Sequence, residues 1–242
     1  MPEYEERSYR RRVIARGLQC FRVVVKETDL WVCSEQALHR QTRDLVYDAR
    51  HQIEGYMASH PEFSDALFPI PEDPFAPPVV KEMIRVSRRV NVGPMASVAG
   101  VISERVGEGL LEVADQVIVE NGGDIFLKAD RPLTVCVFAG SSVLSGKVGL
   151  QVHERQMPAG VCSSSATVGH SLSRGIADAV CLLSPSAALA DAAATALGNR
   201  ISTASDLERA GEWAREIEGI LGGVVIVGGR MASWGDIELV AL

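Results

Sequence analysis

The chain has 242 residues, 47% of them hydrophobic and 23% charged, with a net charge of −7 and an isoelectric point near 5.3. That length fits one large domain or two small ones, the composition excludes a disordered chain, and the acidic balance argues against a general nucleic-acid binder. The longest apolar runs, such as 222–229, fall far short of the ~18 residues needed to cross a bilayer, and the charged start from Met1 to Arg12 reads as neither a secretory signal nor a lipidation site.

Five cysteines include no CxxC pair, and Cys33, Cys136 and Cys181 sit inside apolar runs, where small core thiols are expected. A cytoplasmic location follows as an expectation. Alanine is unevenly placed: 11 of the 27 lie between Ala159 and Ala196.

In chain order, Arg12 to Lys26 reads as a strand, with Phe21, Val23 and Val25 alternating against Arg22 and Val24. Thr28-Asp29 makes a plausible hairpin turn, and Leu30 to Cys33 is the partner strand. Ser34 looks like a helix N-cap. Leu38, Leu45, Ala49, Ile53 and Tyr56 follow at helical spacing to about Ser59. Residues 61–78 hold six prolines and read as a semi-rigid connector whose Phe63, Leu67, Phe68 and Phe75 pack on the body. Helices from about Val79 to Ser87 and Met95 to Val113 flank a turn at Asn91-Val92-Gly93-Pro94.

The second half is richer in strands. Val117 to Glu120 and Ile125 to Lys128 form a hairpin around Asn121-Gly122-Gly123-Asp124, and Thr134 to Ala139, Val148 to His153, Gly160 to Ser164 and Asp178 to Leu183 are four more strands. Ser184-Pro185 has the pattern of a helix start, with Gly198-Asn199 closing that helix. Asp206 to Gly219 is a further helix, and Gly223 to Val227 and Ile237 to Ala241 are the last two strands. Strands paired around helix pairs favour an α+β fold with antiparallel sheets packed against helices. The plan reads as one domain of two repeats, about 1–130 and 131–242, with a hairpin inserted in the second.

Three stretches could carry chemistry. Gly122 and Gly123 allow positive φ and could turn N–H groups toward a ligand, with Asp124 accepting from a ribose or ring N–H; the alternative is a plain type I′ turn with a solvated Asp. Asp191 and Thr195 are i and i+4, which brings their oxygens to one helix face as hard donors suited to Mg²⁺ or Ca²⁺; the alternative is local bonding of both to the backbone. Ser163, Ser164 and Ser165, followed by Gly169-His170-Ser171, could cradle a phosphate, or form an ordinary polar loop.

Together, in this order, these blocks resemble the ApbE family of FAD:protein FMN transferases, formerly called thiamine-biosynthesis lipoproteins. The resemblance spans roughly Asn91 to Leu242. Asn121-Gly122-Gly123-Asp124-Ile125 is similar to the family's flavin-binding Gly-Gly-Asp-Ile turn, Cys162-Ser163-Ser164-Ser165-Ala166 to its Thr-Ser-Gly loop, and Ala190-Asp191-Ala192-Ala193-Ala194-Thr195-Ala196-Leu197 to its Ala-Asp-x-x-x-Thr-x-Leu helix. The resemblance implies duplicated T-fold-like ββααββ units, Mg²⁺ held by Asp191 and Thr195, and FAD bound by Asn121, Gly122, Gly123, Asp124, Ser163, Ser164, Ser165 and His170. It also implies metal-assisted cleavage of a pyrophosphate, with transfer or hydrolysis as the outcome.

The sequence departs from the family at two places. Ser97 stands where the family has a Lys, leaving Arg174 and Lys147 as candidate replacements, and the family's His-x-x-Asp-Pro hairpin is shortened to Thr167–Pro185. The chain thus reads as a separate, cytoplasmic branch of the ApbE-like superfamily. The alternative is a binding protein that keeps the pocket for another small molecule without flavin chemistry. Expected partners are a flavin nucleotide, a protein acceptor and a further copy of the chain, but neither nucleic acid nor membrane.

Overall fold

A computed structural model describes residues 17–167 and 175–242. The chain begins with the hairpin β1 (Gln19–Val25) and β2 (Thr28–Ser34), turning at Lys26-Glu27, before the expected Thr28-Asp29. In β1 the alternation holds: Phe21, Val23 and Val25 are buried and Arg22 and Val24 exposed. Residues 12–16 of the expected strand lie outside the described residues.

Ser34 does not cap a helix. It ends β2, paired with Val117, and its hydroxyl donates to Gln36 O. Helix α1 (His39–Ser59) starts five residues later and buries Thr42, Val46, Ala49, Ile53 and Tyr56. The proline-rich segment holds one helical turn, α2 (Glu62–Asp65), and seats only part of its apolar side chains. Phe63 is fully buried, whereas Leu67 and Phe68 are largely exposed and Phe75 is 93% exposed. The backbone still closes tightly on the body, since a Cβ at Gly93 would lie 1.7 Å from Ala66 O.

Helix α3 (Pro78–Val90) ends at Asn91 in the left-handed region (φ 59°). A short 3-10 turn over Pro94–Ser97 leads into α4 (Val98–Leu110). Then follow β3 (Val117–Asn121), β4 (Asp124–Lys128), β5 (Leu133–Cys136), β6 (Val148–Val152), β7 (Ala159–Ser164), β8 (Ala179–Ser184), α5 (Ala187–Arg200), α6 (Leu207–Arg215), β9 (Gly222–Val227), β10 (Arg230–Gly235) and β11 (Glu238–Ala241). Strand β10 has no counterpart among the sequence expectations, and α5 begins three residues after Ser184, capped by Ser186, whose hydroxyl accepts from Leu189 N.

Eight strands form one antiparallel sheet in the order β1-β2-β3-β4-β7-β8-β9-β10, and β11-β6-β5 form a second, three-stranded one. Within the large sheet, β1–β4 and β7–β10 each run as two hairpins separated by helices. The helices cover one face, burying Leu30, Val32, Val119, Val180, Leu182 and Val225 against α1, α3, α4, α5 and α6. The small sheet covers the other face, over Leu127, Val161, Cys181 and Val224.

Two thiol expectations are corrected. Cys33 is not a free core thiol but forms a disulfide with its register partner Cys20 (S–S 2.02 Å), and Cys136 is exposed. Only Cys162 and Cys181 are buried free thiols.

Candidate functional site

The β3–β4 turn is a two-residue loop closed by the Asn121–Asp124 pair, with Gly122 at φ 70° and Gly123 at φ 107°. Those angles, rather than lack of room, require glycine: a Cβ at Gly123 would meet nothing within 4 Å. The N–H expected to face a ligand is already used, since Gly123 N donates to Glu120 Oε1 at 2.9 Å. Asn121 faces the helices and donates from Nδ2 to Ala99 O at 3.1 Å. Asp124 is 7% exposed and accepts from Ser163 N at 3.2 Å. The turn is therefore tied to its own strand, to α4 and to β7.

Above it lies α5, buried on nearly every side from Ala187 to Ala194. Its alanines permit close crossings. A Cβ at Gly100 of α4 would lie 2.4 Å from Ala187 O, and one at Gly160 of β7 would lie 2.2 Å from Ala187 Cα. Asp191 is 8% exposed, and its Oδ2 accepts from Gly100 N at 2.8 Å, with Ala99 N a further donor. The carboxylate thus meets the positive N-terminus of α4. Burial nevertheless holds the Asp191 pKa well above 3.8, and the charge of Asp124 pushes it the same way. Among the described residues no Lys or Arg offsets the Asp191 charge. Thr195, one turn on, is half-buried and, among the described residues, has no side-chain hydrogen bond.

The three serines go three ways. Ser163 faces the small sheet, where its side chain bonds Cys181. Ser164 faces the helices, is 5% exposed, and its hydroxyl has no partner among the described residues. Ser165 lies in an exposed loop, where its Oγ accepts from Thr167 N and Thr167 Oγ1 donates to Asp178 Oδ1. His170 and Arg174 lie outside the described residues. Cys162 is buried and donates to Ala187 O; burial pushes its thiol pKa far up, which removes it as a nucleophile. Ser97 is fully buried and bonded to Pro94 O, so no cation stands at the position of the family Lys. Lys147 is exposed at the start of β6, in the other sheet.

The structure therefore gathers Asn121, Asp124, Ser164 and Asp191 on the helical side of the sheet, with Thr195 on the next turn, and leaves Ser163 and Ser165 apart from them. Sequence reasoning missed Glu104, whose Oε2 accepts from Ala188 N at 2.8 Å and Ser186 Oγ at 3.0 Å at the start of α5. Its only sequence signal was an acid in a mostly apolar helix, four residues after Gly100. Surface cavities of about 220 Å³ beside Glu104 and about 320 Å³ between β1 and α1 lie away from Asp191. Among the described residues no three His, Cys, Asp or Glu converge as for zinc. The donors near Asp191 are hydroxyl and carboxylate oxygens, which fit a hard divalent cation such as Mg²⁺.

The family model described as AbpE bacteria matches residues 11–227. A UPF0280 protein of Methanocella arvoryzae is 40% identical over 212 residues, covering 87% of this chain and 86% of that protein. Another, from Methanocaldococcus jannaschii, is 38% identical over 226 residues, covering 90% and 92%. Among solved structures, the apo flavinyl transferase ApbE of Pseudomonas stutzeri matches with a TM-score of 0.62 at 15% identity, over 90% of this chain and 94% of that one. The flavin transferase ApbE of Vibrio cholerae matches at 0.61 and 15%, over 90% and 96%. At such identity the structural likeness speaks to the fold, while the family match and the closer relatives speak to descent: the chain belongs to the AbpE bacteria family, an ApbE-like branch whose relatives include the UPF0280 proteins.

Proposed function

We propose that the chain is a Mg²⁺-dependent enzyme acting on the pyrophosphate of a flavin nucleotide, FAD, as a transferase or pyrophosphatase. The observation that carries this reading is Asp191, a buried carboxylate that accepts from Gly100 N, lies one turn from the Thr195 hydroxyl and feels the charge of Asp124. Keeping the Asp191 carboxylate charged in such burial is costly, and a cation there would offset that cost. Asp191, oriented by the N–H groups of Gly100 and Ala99, and Thr195 would hold the metal. When bound, Mg²⁺ supplies charge neutralisation at the phosphate oxygens of the leaving group.

The chain's own residues do the positioning. The Asn121–Asp124 turn and Ser164 at the end of β7 would border the nucleotide, and His170 is proposed for the same set. A protein hydroxyl or water takes the flavin phosphate. We place the protein in the cytoplasm, where the Cys20–Cys33 bond is open to reduction by cellular thiols.

Ser97 favours a second reading. Buried and bonded to Pro94 O, it supplies no positive charge for a transferred phosphate, which suits a protein that binds a small molecule without turning it over. Titration calorimetry with FAD, with and without Mg²⁺, together with chromatographic detection of AMP, separates the two. Binding that requires Mg²⁺, is lost in Asp191→Ala and releases AMP supports the enzyme. Binding of another small molecule, or of FAD without AMP release, selects the second reading, and a chain that takes up neither FAD nor Mg²⁺ refutes the enzyme.

A further inference from the structure

We infer that the cavity between β1 and α1 is a second binding site, one that takes the phosphate group of a small anionic molecule. It lies away from Asp191, and the inference does not depend on the flavin reading.

The cavity, about 320 Å³, is walled by Val23 and Val24 of β1 and by four basic side chains, Arg22, His39, Arg40 and Arg43. No acid lines it among the described residues, a local excess of positive charge on a chain whose net charge is −7. Its size is at the small end of ligand pockets, enough for a phosphate on a compact organic group. The helix residues share one face, since His39 and Arg40 lie four and three residues before Arg43. From the strand, Arg22 is held by a two-pronged ion pair with Asp29, at 2.8 and 3.1 Å. His39 rests its ring against Phe21, with centroids 4.4 Å apart. Arg40 has a looser, exposed contact with Asp44 at 3.7 Å. Arg43 makes no hydrogen bond or ion pair among the described residues.

Helix stability does not account for these charges. The first turn of a helix is stabilised by acids and opposed by cations, and like charges three or four residues apart repel. Helix α1 nevertheless opens on this basic set, with no acid in its first turn and no side chain capping it. A bound anion turns each of those costs into an attraction. Phosphate suits the cavity better than a carboxylate, because its oxygens can meet several guanidinium groups at once. A carboxylate pairs its two oxygens with one arginine, as Asp29 does with Arg22.

Calorimetric titration of the full-length chain with inorganic phosphate and with glycerol phosphate, at constant ionic strength and without Mg²⁺, tests this. Wild-type protein is expected to bind both at millimolar concentration or below, and to melt higher in phosphate than in chloride of equal ionic strength. Arg43→Gln should bind about 10-fold more weakly, and Arg40→Gln a few-fold more weakly. Arg43 is exposed and its loss relieves repulsion at the helix start, so Arg43→Gln should melt no lower than wild type in chloride. Asp191→Ala should bind phosphate as wild type does. Failure of the wild type to bind either compound, equal affinity in Arg43→Gln and Arg40→Gln, or loss of binding in Asp191→Ala alone would overturn the site. Equal affinity for succinate would overturn its assignment to phosphate.

Discussion

Asp191 and Glu104 are exchanged between two crossing helices. Asp191 of α5 accepts from Gly100 N near the start of α4, and Glu104 of α4 accepts from Ala188 N and Ser186 Oγ at the start of α5. Each acid thus serves the other helix's N-terminus, an interaction worth about 0.5–2 kcal/mol. For Glu104, burial outweighs those two bonds, and its pKa rises above 4.5. An acid whose pKa is raised on folding binds its proton more tightly in the folded chain, so stability is greatest below the unfolded value and falls as pH climbs from about 4.5 through the folded one. The melting temperature of metal-free protein should therefore drop over that window, and drop less in Glu104→Gln, which keeps one acceptor and cannot ionise. Parallel pH profiles in the two proteins would refute the assignment.

At the scale of elements, α5 is held by glycines on both sides. Gly160→Ala would put a methyl 2.2 Å from Ala187 Cα, and Gly100→Ala would put one 2.4 Å from Ala187 O and 2.7 Å from Asp191 Cβ. Neither obstacle is a mobile side-chain end, so each variant should lose about 1–3 kcal/mol in denaturant unfolding, and Gly100→Ala should also weaken Mg²⁺ binding by displacing Asp191. Wild-type stability in both would show that the helices have slack. Local pattern was enough to place α5, the β3–β4 turn and the Asp191–Thr195 pair in the sequence. Their boundaries and partners depended on distant chain. Ser34 resembled a cap because the β2 ladder to Val117 is invisible locally, and Ser184-Pro185 resembled a helix start although Ser184 is needed opposite Gly160 in the sheet. Strand β10 escaped notice because this edge strand exposes Arg230, Met231 and Ser233 and shows little alternation. At the site, which serine faces the helices is a matter of register, and Glu104 meets its partners across more than 80 residues of sequence.

At the scale of the molecule, one broad sheet is clad by helices on one face and by a small sheet on the other, and its β1–β2 border is stitched by Cys20–Cys33. The bond spans 13 residues of sequence, for which the loop-entropy estimate is about 3 kcal/mol. Denatured, unreduced protein should expose three reactive thiols (Cys136, Cys162 and Cys181), and reduction should lower the melting temperature. Five reactive thiols before reduction would rule the bond out.

The β3–β4 turn carries its own competitor. Because Glu120 already occupies Gly123 N–H, an incoming phosphate meets a tethered anion rather than a vacant donor. A tethered group acts at an effective concentration in the millimolar range, so a bare phosphate at cellular levels gains little there by displacing it. Selectivity at this end of the sheet then falls to ligands that bring something the carboxylate cannot match, such as a planar ring or a phosphate already carrying its metal.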